Sequence, residues 1–434
     1  MAEPSLQSVG FFYFTKMETT ETTEETKTEE ILSEGQRHFM YEAENGKNVF
    51  LTGKAGTGKS FVVRKFIDHM NESGKEYLAL APTGVAANNI GGATIHSTFR
   101  LTPFGVLNLD DIKRLESKRV RLLSKVDCIL IDEVSMLRPD ILDAIHWTFK
   151  KNGLRGLEKR QIIFIGDLKQ LPAPMDDNTK SVLFEHYDRE EFYAANIFRK
   201  LNVTTIYLTD VLRQNDPEFI DNLNIIREGG KSEYFRQFKS EEARGIILAP
   251  HNSTVSEYNR DGLEALEGEE LVYEAEISGK AKASDFNLEA QVRVKDGAKI
   301  MYLANSKNNK LINGTLGTFR IKEVEGEDGK TKEKQPMIDV NGVQYPIERL
   351  EFTKKEYRLD IVEGKEKLVL KTIGTITQMP IRLAYALTIH KSQGLTFDEV
   401  TVDLTLPCFS RGQLYTALSR VKSPEGLTII SPRK

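Results

Sequence analysis

Apolar runs of strand length recur along the chain and alternate with stretches of helical length. Four of these runs lie at residues 49–51, 77–81, 128–131 and 161–165. Three more follow at residues 245–249, 399–404 and 427–430. Runs of this kind, separated by helix-length segments, are typical of strands in a parallel sheet that helices cover on both faces. The pattern therefore predicts an α/β protein with two such domains in tandem.

Residues 291–375 show a different sequence pattern, with short segments of alternating apolar and polar residues separated by turn residues. Segments 292–295, 318–321, 337–340 and 343–346 alternate like half-buried strands, and Asn341-Gly342 is a strong hairpin signal. We expect a small β-barrel inserted into the second α/β domain. A shorter insertion, at residues 102–121 of the first domain, contains Phe104 beside Pro103 and Gly105.

Charge is unevenly distributed along the 434 residues, which carry a net charge of −4. Residues 1–30 contain seven acidic residues and two lysines, a net charge of −5, so the rest of the chain carries +1. We expect this acidic tail to be disordered, because it has too few apolar residues to form a core. The near-neutral remainder argues against a generally basic nucleic-acid coat, but one groove can still be lined with basic side chains.

Cysteine usage and the absence of a signal-peptide pattern indicate a cytoplasmic protein, associated with the nucleoid if the source is bacterial. The two cysteines, Cys128 and Cys408, form neither a disulfide framework nor a metal-ligand spacing. The apolar patch at residues 9–14 is too short to span a membrane. We expect no membrane partner.

Residues 53–60 read GKAGTGKS and match the phosphate-binding pattern G-x-x-x-x-G-K-[ST]. They follow the apolar run 49–51 and precede a helix predicted to start near Phe61, as such a loop requires. Glycines let backbone N–H groups surround phosphate oxygens, and the helix N-terminus adds favourable dipole charge. We expect Lys59 to contact the β- and γ-phosphates of ATP and Ser60 to ligate Mg²⁺.

Two further strand ends supply the groups that phosphoryl transfer needs. Asp132 and Glu133 follow the run 128–131, so we expect Asp132 to hold Mg²⁺ and Glu133 to act as general base. Gln170 lies in the loop after the run 161–165, where its amide is a candidate γ-phosphate sensor. Without the phosphate-binding loop, Asp132 and Glu133 would be interpreted as a solvated strand end, and Gln170 as an exposed loop residue.

Taken in order, these and later motifs resemble superfamily-one DNA helicases of the 5′-to-3′ class. Within it, the chain is most similar to the petite-integration-frequency (Pif) type, and next to the RecD and phage Dda types. The resemblance covers nearly everything between residues 31 and 431. The segments that carry it are Gln36, GKAGTGKS (53–60), APT (81–83), DEVSM (132–136), GDLKQLP (166–172), IHKSQG (389–394) and YTALSR (415–420).

The resemblance implies two tandem RecA-like P-loop NTPase domains, with a wedge insertion in the first and an SH3-like β-barrel in the second. The corresponding limits are 31–210 for the first domain, 211–290 with 376–434 for the second, and 291–375 for the barrel. Gln36 is implied to contact the adenine, and Arg213 and Arg420 to be arginine fingers. The implied nucleotide site comprises Gln36, Gly53, Ala55, Gly56, Thr57, Gly58, Lys59, Ser60, Gln170, Gly394 and Arg420.

Candidates for nucleic-acid contact lie in loops after the predicted strands, where hydroxyl, amide, cationic and aromatic groups can contact a backbone or stack on bases. Burial in the core is the alternative for His96 and Phe99. Pro103 and Phe104 are candidates for the wedge that separates a duplex. The candidate contacts are Pro82, Thr83, Thr94, His96, Phe99, His251, Asn252, His390, Lys391, Ser392 and Gln393.

The predicted function is that of a monomeric ATP-dependent helicase, with Mg²⁺ as cofactor and single-stranded, forked or structured DNA as partner. The resemblance implies roles in DNA replication, repair, recombination and telomere maintenance. A translocase without strong unwinding, an RNA helicase and a nucleotide-gated switch are the alternatives. A simple switch would need no second α/β domain, whereas the residues do not distinguish DNA from RNA.

Overall fold

The computed structural model describes residues 32–102, 105–210, 214, 216–306, 310–325 and 332–431. Its first part alternates strands and helices, as the apolar runs predict. In chain order the elements are α1 (Glu34–Glu44), β1 (Asn48–Gly53), α2 (Lys59–Glu72), β2 (Tyr77–Ala81), α3 (Gly84–Asn89), β3 (Ala93–Thr94), α4 (Ile95–Phe99), α5 (Ser117–Ser124), β4 (Cys128–Ile131), α6 (Pro139–Lys151), β5 (Gln161–Gly166), α7 (Asp177–His186) and β6 (Val203–Leu208).

Within the described residues, six parallel strands form the sheet of this first domain, in the order β3-β2-β4-β5-β1-β6. The strands β2 and β4 match the predicted bounds, and β1 and β5 contain the other two predicted runs. These strands are almost wholly buried between helices, which explains why their sequences lack polar alternation.

The second part of the chain contains another set of parallel strands, with antiparallel strands between them. Its elements are α8 (Pro217–Arg227), β7 (Ile246–Ala249), α9 (Asn252–Glu264), β8 (Leu271–Glu274), β9 (Glu276–Gly279), β10 (Gln291–Val294), β11 (Lys299–Tyr302), β12 (Leu316–Glu325), β13 (Lys332–Val340), β14 (Val343–Pro346), β15 (Leu350–Val362), β16 (Lys365–Gln378), β17 (Ile381–Leu383), β18 (Ala386–Thr388), β19 (Val400–Asp403), α10 (Gln413–Leu418) and β20 (Leu427–Ile430).

The second domain is built on a parallel sheet of order β18-β7-β19-β20. Antiparallel strands form further sheets of order β14-β13-β12-β11-β17 and β15-β16-β9, and β10 pairs with β8. Asn341 and Gly342, both with positive φ, form the predicted turn between β13 and β14. The antiparallel strands extend beyond residues 291–375 on both sides, from Leu271 to Leu383.

A long hairpin, β15 with β16, extends from the antiparallel region onto the first domain. Tyr357 of β15 is buried in the hydrophobic core of that domain, and its hydroxyl accepts a hydrogen bond of 2.9 Å from the backbone N–H of Ala79. The neighbouring Glu356 is 2% exposed and pairs with Arg119 and, at 2.7 Å, with Arg100. The hairpin therefore fastens the insertion to the first domain.

Several predicted features lie outside the described residues, among them the acidic tail, the candidate wedge residues Pro103 and Phe104, and Arg213. The described part of the 102–121 insertion is anchored, because Leu107 and Ile112 belong to the core of the first domain. In the part of the chain that the structure describes, no helix has the length and apolar character needed to cross a membrane.

Candidate nucleotide site and strand groove

The phosphate-binding loop connects β1 to α2 at the carboxyl edge of the first sheet. Gly58, at φ 78°, directly precedes α2 and adopts a left-handed conformation that favours glycine. The loop lines a cavity of about 360 Å³ together with Glu133 and Gln170 of the first domain and Gly394 and Arg420 of the second. The cavity therefore lies between the two domains, as the resemblance implies.

Hydrogen bonds within the loop hold its side chains in place. Lys59 donates from Nζ to the carbonyl oxygens of Gly53 at 2.8 Å and Lys54 at 2.9 Å. The buried Thr57 donates from its hydroxyl to the carbonyl of Lys54 at 3.0 Å. These contacts preorganise a cation beside backbone N–H groups, an arrangement suited to the phosphates of a nucleotide.

Asp132 and Glu133 follow β4, whose neighbours in the sheet are β2 and β5. Glu133 has a φ of 51°, a conformation that is rare for residues other than glycine and is often found at functional sites. Burial raises the pKa of Asp132, and the adjacent Glu133 raises it further. Burial also raises the pKa of Glu133, whereas Lys59 opposes that increase.

The second domain contributes Arg420, which is 2% exposed although it lines the cavity. Its guanidinium donates from Nε to the carbonyl of Thr416 at 2.9 Å and from Nη1 to that of Leu395 at 3.3 Å. The side chain is thus held rigidly by its own domain. Gln170 is 8% exposed in the same cavity, and the roles predicted for both residues stay predictions.

Gln36, the implied adenine contact, lies in the first turn of α1. It is 3% exposed, and its Oε1 accepts a hydrogen bond of 3.0 Å from the N–H of Ser33 as part of a capping box. The side chain is therefore engaged in capping the N-terminus of α1, and its predicted contact with adenine stays a prediction.

A second cavity, of about 550 Å³, forms a groove between the two domains. Thr83, the N-cap of α3, lines it from the first domain. His251 and Asn252, at the start of α9, line it from the second domain, and so do His390 and Lys391. With Gln393, six predicted nucleic-acid contacts therefore line one groove.

Phe409 also lines this groove, and sequence reasoning missed it. Its ring is 64% exposed and lies 5.0 Å from the ring of His251 and 6.1 Å from that of His390, centroid to centroid. The backbone N–H of Phe409 donates to Oε1 of the buried Gln413 at 3.0 Å. A fixed backbone with an exposed ring is what a base-stacking platform requires.

Two of the side chains predicted to contact nucleic acid are buried in this structure. Phe99 is 1% exposed in the core of the first domain, where its ring packs edge-on against Phe149, which favours the alternative of burial in the core. Ser392 is fully buried, and its hydroxyl donates to the carbonyl of Ile389 at 2.8 Å. Both side chains instead stabilise the local structure.

The remaining candidates occupy other positions. His96 lines a separate cavity with Arg100 and Arg119, and burial lowers its pKa, as does Arg138. Thr94 caps α4 by accepting a hydrogen bond from the N–H of Ser97. These two residues, with Pro82 just before Thr83, stay predictions as strand contacts.

Gln393 connects the groove to the nucleotide site. Its Nε2 donates to Oε2 of Glu133 at 3.0 Å, and both residues line the groove. Glu133 also lines the nucleotide cavity. A residue predicted to contact nucleic acid therefore holds the residue predicted to activate water.

The fold and the site define a motor ATPase with two RecA-like domains, a nucleotide site between them and a groove next to it. A family described as PIF1-like helicase matches residues 31–234, and one described as UvrD-like helicase C-terminal domain matches residues 383–423. A Campylobacter jejuni protein named ATP-dependent DNA helicase Pif1 is 30% identical, over 89% of this chain and 89% of its own length. The chain belongs to the PIF1-like helicase family.

Solved structures agree with this assignment. A Bacteroides sp. Pif1 in complex with ADP-AlF4 is 33% identical, covers 92% of each chain and superposes with a TM-score of 0.79. A Bacteroides Pif1 bound to single-stranded DNA has the same identity and coverage but a TM-score of 0.62. The arrangement of this chain is therefore closer to that DNA-free structure than to this DNA-bound one.

Proposed function

We propose that this ATP-dependent DNA helicase moves 5′-to-3′ along single-stranded DNA and uses each hydrolysis step to advance into a duplex. The observation that carries the proposal is the 3.0 Å hydrogen bond from Gln393 to Glu133. Because Gln393 belongs to the groove and Glu133 to the nucleotide cavity, a strand that displaces Gln393 changes the environment of the general base. Nucleic-acid binding can thereby control hydrolysis.

ATP would bind with its phosphates on the loop at residues 53–60 and with Lys59 beside them. Ser60 and Asp132 line one cavity of about 330 Å³, and a hydroxyl with a carboxylate is a donor pair that suits Mg²⁺. Two adjacent, partly buried carboxylates, whose pKa values burial raises, also favour a cation at this position. Mg²⁺ bound with the nucleotide would neutralise phosphate charge.

Hydrolysis requires that both domains meet at the nucleotide. Glu133 would take the proton of the attacking water, while Arg420, from the second domain, would stabilise the charge on the transferred phosphoryl group. Arg213, the second implied finger, lies outside the described residues. Because Arg420 acts only when the cleft is closed, hydrolysis is tied to the relative movement of the domains.

The groove would hold single-stranded DNA by backbone and base-face contacts, without reading the sequence. Thr83 of the first domain and Asn252 and Lys391 of the second provide polar contacts, and Phe409 with His390 provides ring surfaces. Burial lowers the pKa of His390, which favours a neutral ring. Since the contacts come from both domains, opening and closing the cleft would move the strand in steps.

The wedge would be formed by the insertion at residues 102–121, with Pro103 and Phe104 at the point of strand separation. Its base is anchored, because the N–H of Leu107 donates to the buried Asp140 at 2.9 Å. Asp140 in turn pairs with Arg138 at 2.7 Å. A firm base allows force from the motor to be transmitted to the duplex.

The test is ATP-dependent unwinding of matched duplexes that carry either a 5′ or a 3′ single-stranded overhang, with Lys59→Ala as control. The proposal expects unwinding from the 5′ overhang alone, and its loss in Lys59→Ala. Unwinding from the 3′ overhang would contradict the polarity. DNA-stimulated ATP hydrolysis without unwinding of either substrate would instead indicate a translocase.

A further inference from the structure

The hydroxyl of Tyr415 lies between the phosphate-binding loop and the strand end that carries the sensor loop. Tyr415 belongs to α10 of the second domain and is 3% exposed. Its oxygen accepts a hydrogen bond of 3.1 Å from the backbone N–H of Ala55. The same hydroxyl donates to Oδ2 of Asp167 at 3.5 Å, so one phenol contacts two separate loops of the first domain.

Asp167 is itself held by the second domain. The carboxylate is 1% exposed and accepts hydrogen bonds from Nη2 of Arg227 at 2.8 Å and from its Nε at 3.3 Å. Arg227 lies in the last turn of α8. Two side chains of the second domain, Tyr415 and Arg227, therefore meet on one buried carboxylate of the first.

The backbone of the second domain also approaches the sensor loop closely. Gly412, at φ 78°, directly precedes α10, and a Cβ at this position would lie 2.6 Å from the carbonyl oxygens of Lys169 and Gln170. Only glycine permits this approach together with this backbone conformation. The position of α10 therefore fixes both Tyr415 and the backbone that carries Gln170.

The phenol keeps its proton at neutral pH, so it can accept from Ala55 and donate to Asp167 at once. Burial raises the pKa of Tyr415 to about 12, and the negative charge of Asp167 contributes to the increase. If the domains separate, Ala55 and Asp167 can bind water instead. In the closed cleft, the hydroxyl of Tyr415 replaces that water.

We propose that Tyr415 is a positioning residue for ATP hydrolysis, whose hydroxyl couples closure of the second domain to the geometry of the phosphate-binding loop and the sensor loop. The inference rests on the proposed function, because it concerns the same ATP site. Without the Tyr415 hydroxyl, closing the cleft would leave the N–H of Ala55 buried and without a hydrogen-bond acceptor. Closure would therefore be disfavoured. Tyr415 itself does not line the nucleotide cavity.

The test compares Tyr415→Phe with Tyr187→Phe, a matched control. Tyr187 is also a buried phenol that donates to a buried carboxylate, Asp143, at 3.0 Å, but both residues belong to the first domain, so this hydrogen bond does not join the two domains. Each substitution removes one oxygen atom. We expect Tyr415→Phe to lower kcat/KM for ATP about tenfold at saturating single-stranded DNA, and Tyr187→Phe to leave it unchanged.

The decrease should appear mainly in kcat. ATP binds chiefly to the first-domain loop, which both variants retain, whereas hydrolysis needs the closed cleft with Arg420. In the double variant with Tyr415→Phe and Asp167→Asn, the fold-decrease in kcat should be smaller than the product of the decreases in the two single variants. Both changes remove the same link, so their effects should not multiply.

The outcomes separate this inference from the proposed function. If Tyr415→Phe lowers only the melting temperature, as Tyr187→Phe is expected to do, and kcat/KM is unchanged, Tyr415 is merely structural and the inference is overturned. If the native chain shows no ATP hydrolysis with or without DNA, the proposed function fails and the inference fails with it. Independent, multiplicative effects of Tyr415→Phe and Asp167→Asn would overturn the proposed link.

Discussion

The nucleotide cavity and the groove share Glu133, yet they are built in different ways. The cavity takes most of its lining from one continuous loop after β1, and the second domain closes it with Arg420, whose side chain is almost fully buried. The groove is assembled from short, separate segments, and its most prominent ring, Phe409, is largely exposed.

The difference follows from the two tasks. Phosphoryl transfer requires donors and charges fixed in advance around a ligand of constant shape, so the residues are held by internal hydrogen bonds, as Lys59 is. A strand that moves through the protein must be held and then released, so exposed platforms and backbone contacts suffice. A buried, directional site therefore depends on single residues, whereas a groove distributes its affinity over many.

The largest expected effect is in the nucleotide cavity, where exchanging one carboxylate oxygen for an amide nitrogen should strongly reduce hydrolysis. Glu133→Gln keeps the size of the side chain but removes the basic oxygen, so kcat for ATP should fall about 10²- to 10⁴-fold. Binding of single-stranded DNA should be retained, because the groove keeps its platforms. Steady-state hydrolysis and fluorescence anisotropy with a labelled oligonucleotide measure the two quantities. Equal loss of both would show that the two regions are not separable.

A smaller effect is expected in the groove. Phe409→Ala should weaken binding of single-stranded DNA by about 1 to 3 kcal/mol, since stacking on an aromatic platform contributes roughly that much per base. The DNA concentration that half-saturates ATP hydrolysis should rise accordingly. Phe184→Ala is the matched control, because Phe184 is 45% exposed on α7 and does not line the groove. Equal binding by the two variants would exclude Phe409 as a platform.

The parallel strands could be predicted from the sequence wherever they are buried on both faces. The bounds of β2, β4 and β20 match the predicted runs 77–81, 128–131 and 427–430. The edge strand β6 was missed, because only two of its six residues are buried and its threonines interrupt the apolar run. The hairpin β15–β16 was also missed, since its many charged residues conceal the few apolar side chains, such as Tyr357, that pack on the first domain.

Prediction of the site from the sequence was limited in the same way, by residues whose burial the local sequence does not reveal. The motif around Lys59, Asp132 and Glu133 could be predicted because its residues are close in sequence to the strands that position them. Phe99 and Phe409 could not be distinguished, since local sequence does not show which phenylalanine faces the core and which faces the groove. The sequence also does not show that the Ser392 hydroxyl already donates a hydrogen bond to the carbonyl of Ile389.

The hydrogen bond between Gln393 and Glu133 is the contact that joins the two regions, so its removal tests the central claim most directly. The measurement is the ratio of ATP hydrolysis rates with saturating single-stranded DNA and without DNA, for the native chain and for Gln393→Ala. Gln344→Ala, at an exposed position of β14, is the control. We predict that Gln393→Ala lowers the ratio about tenfold, as expected for the loss of a hydrogen bond to a charged group. A ratio equal to that of the native chain would contradict the claim that the strand controls hydrolysis through Gln393.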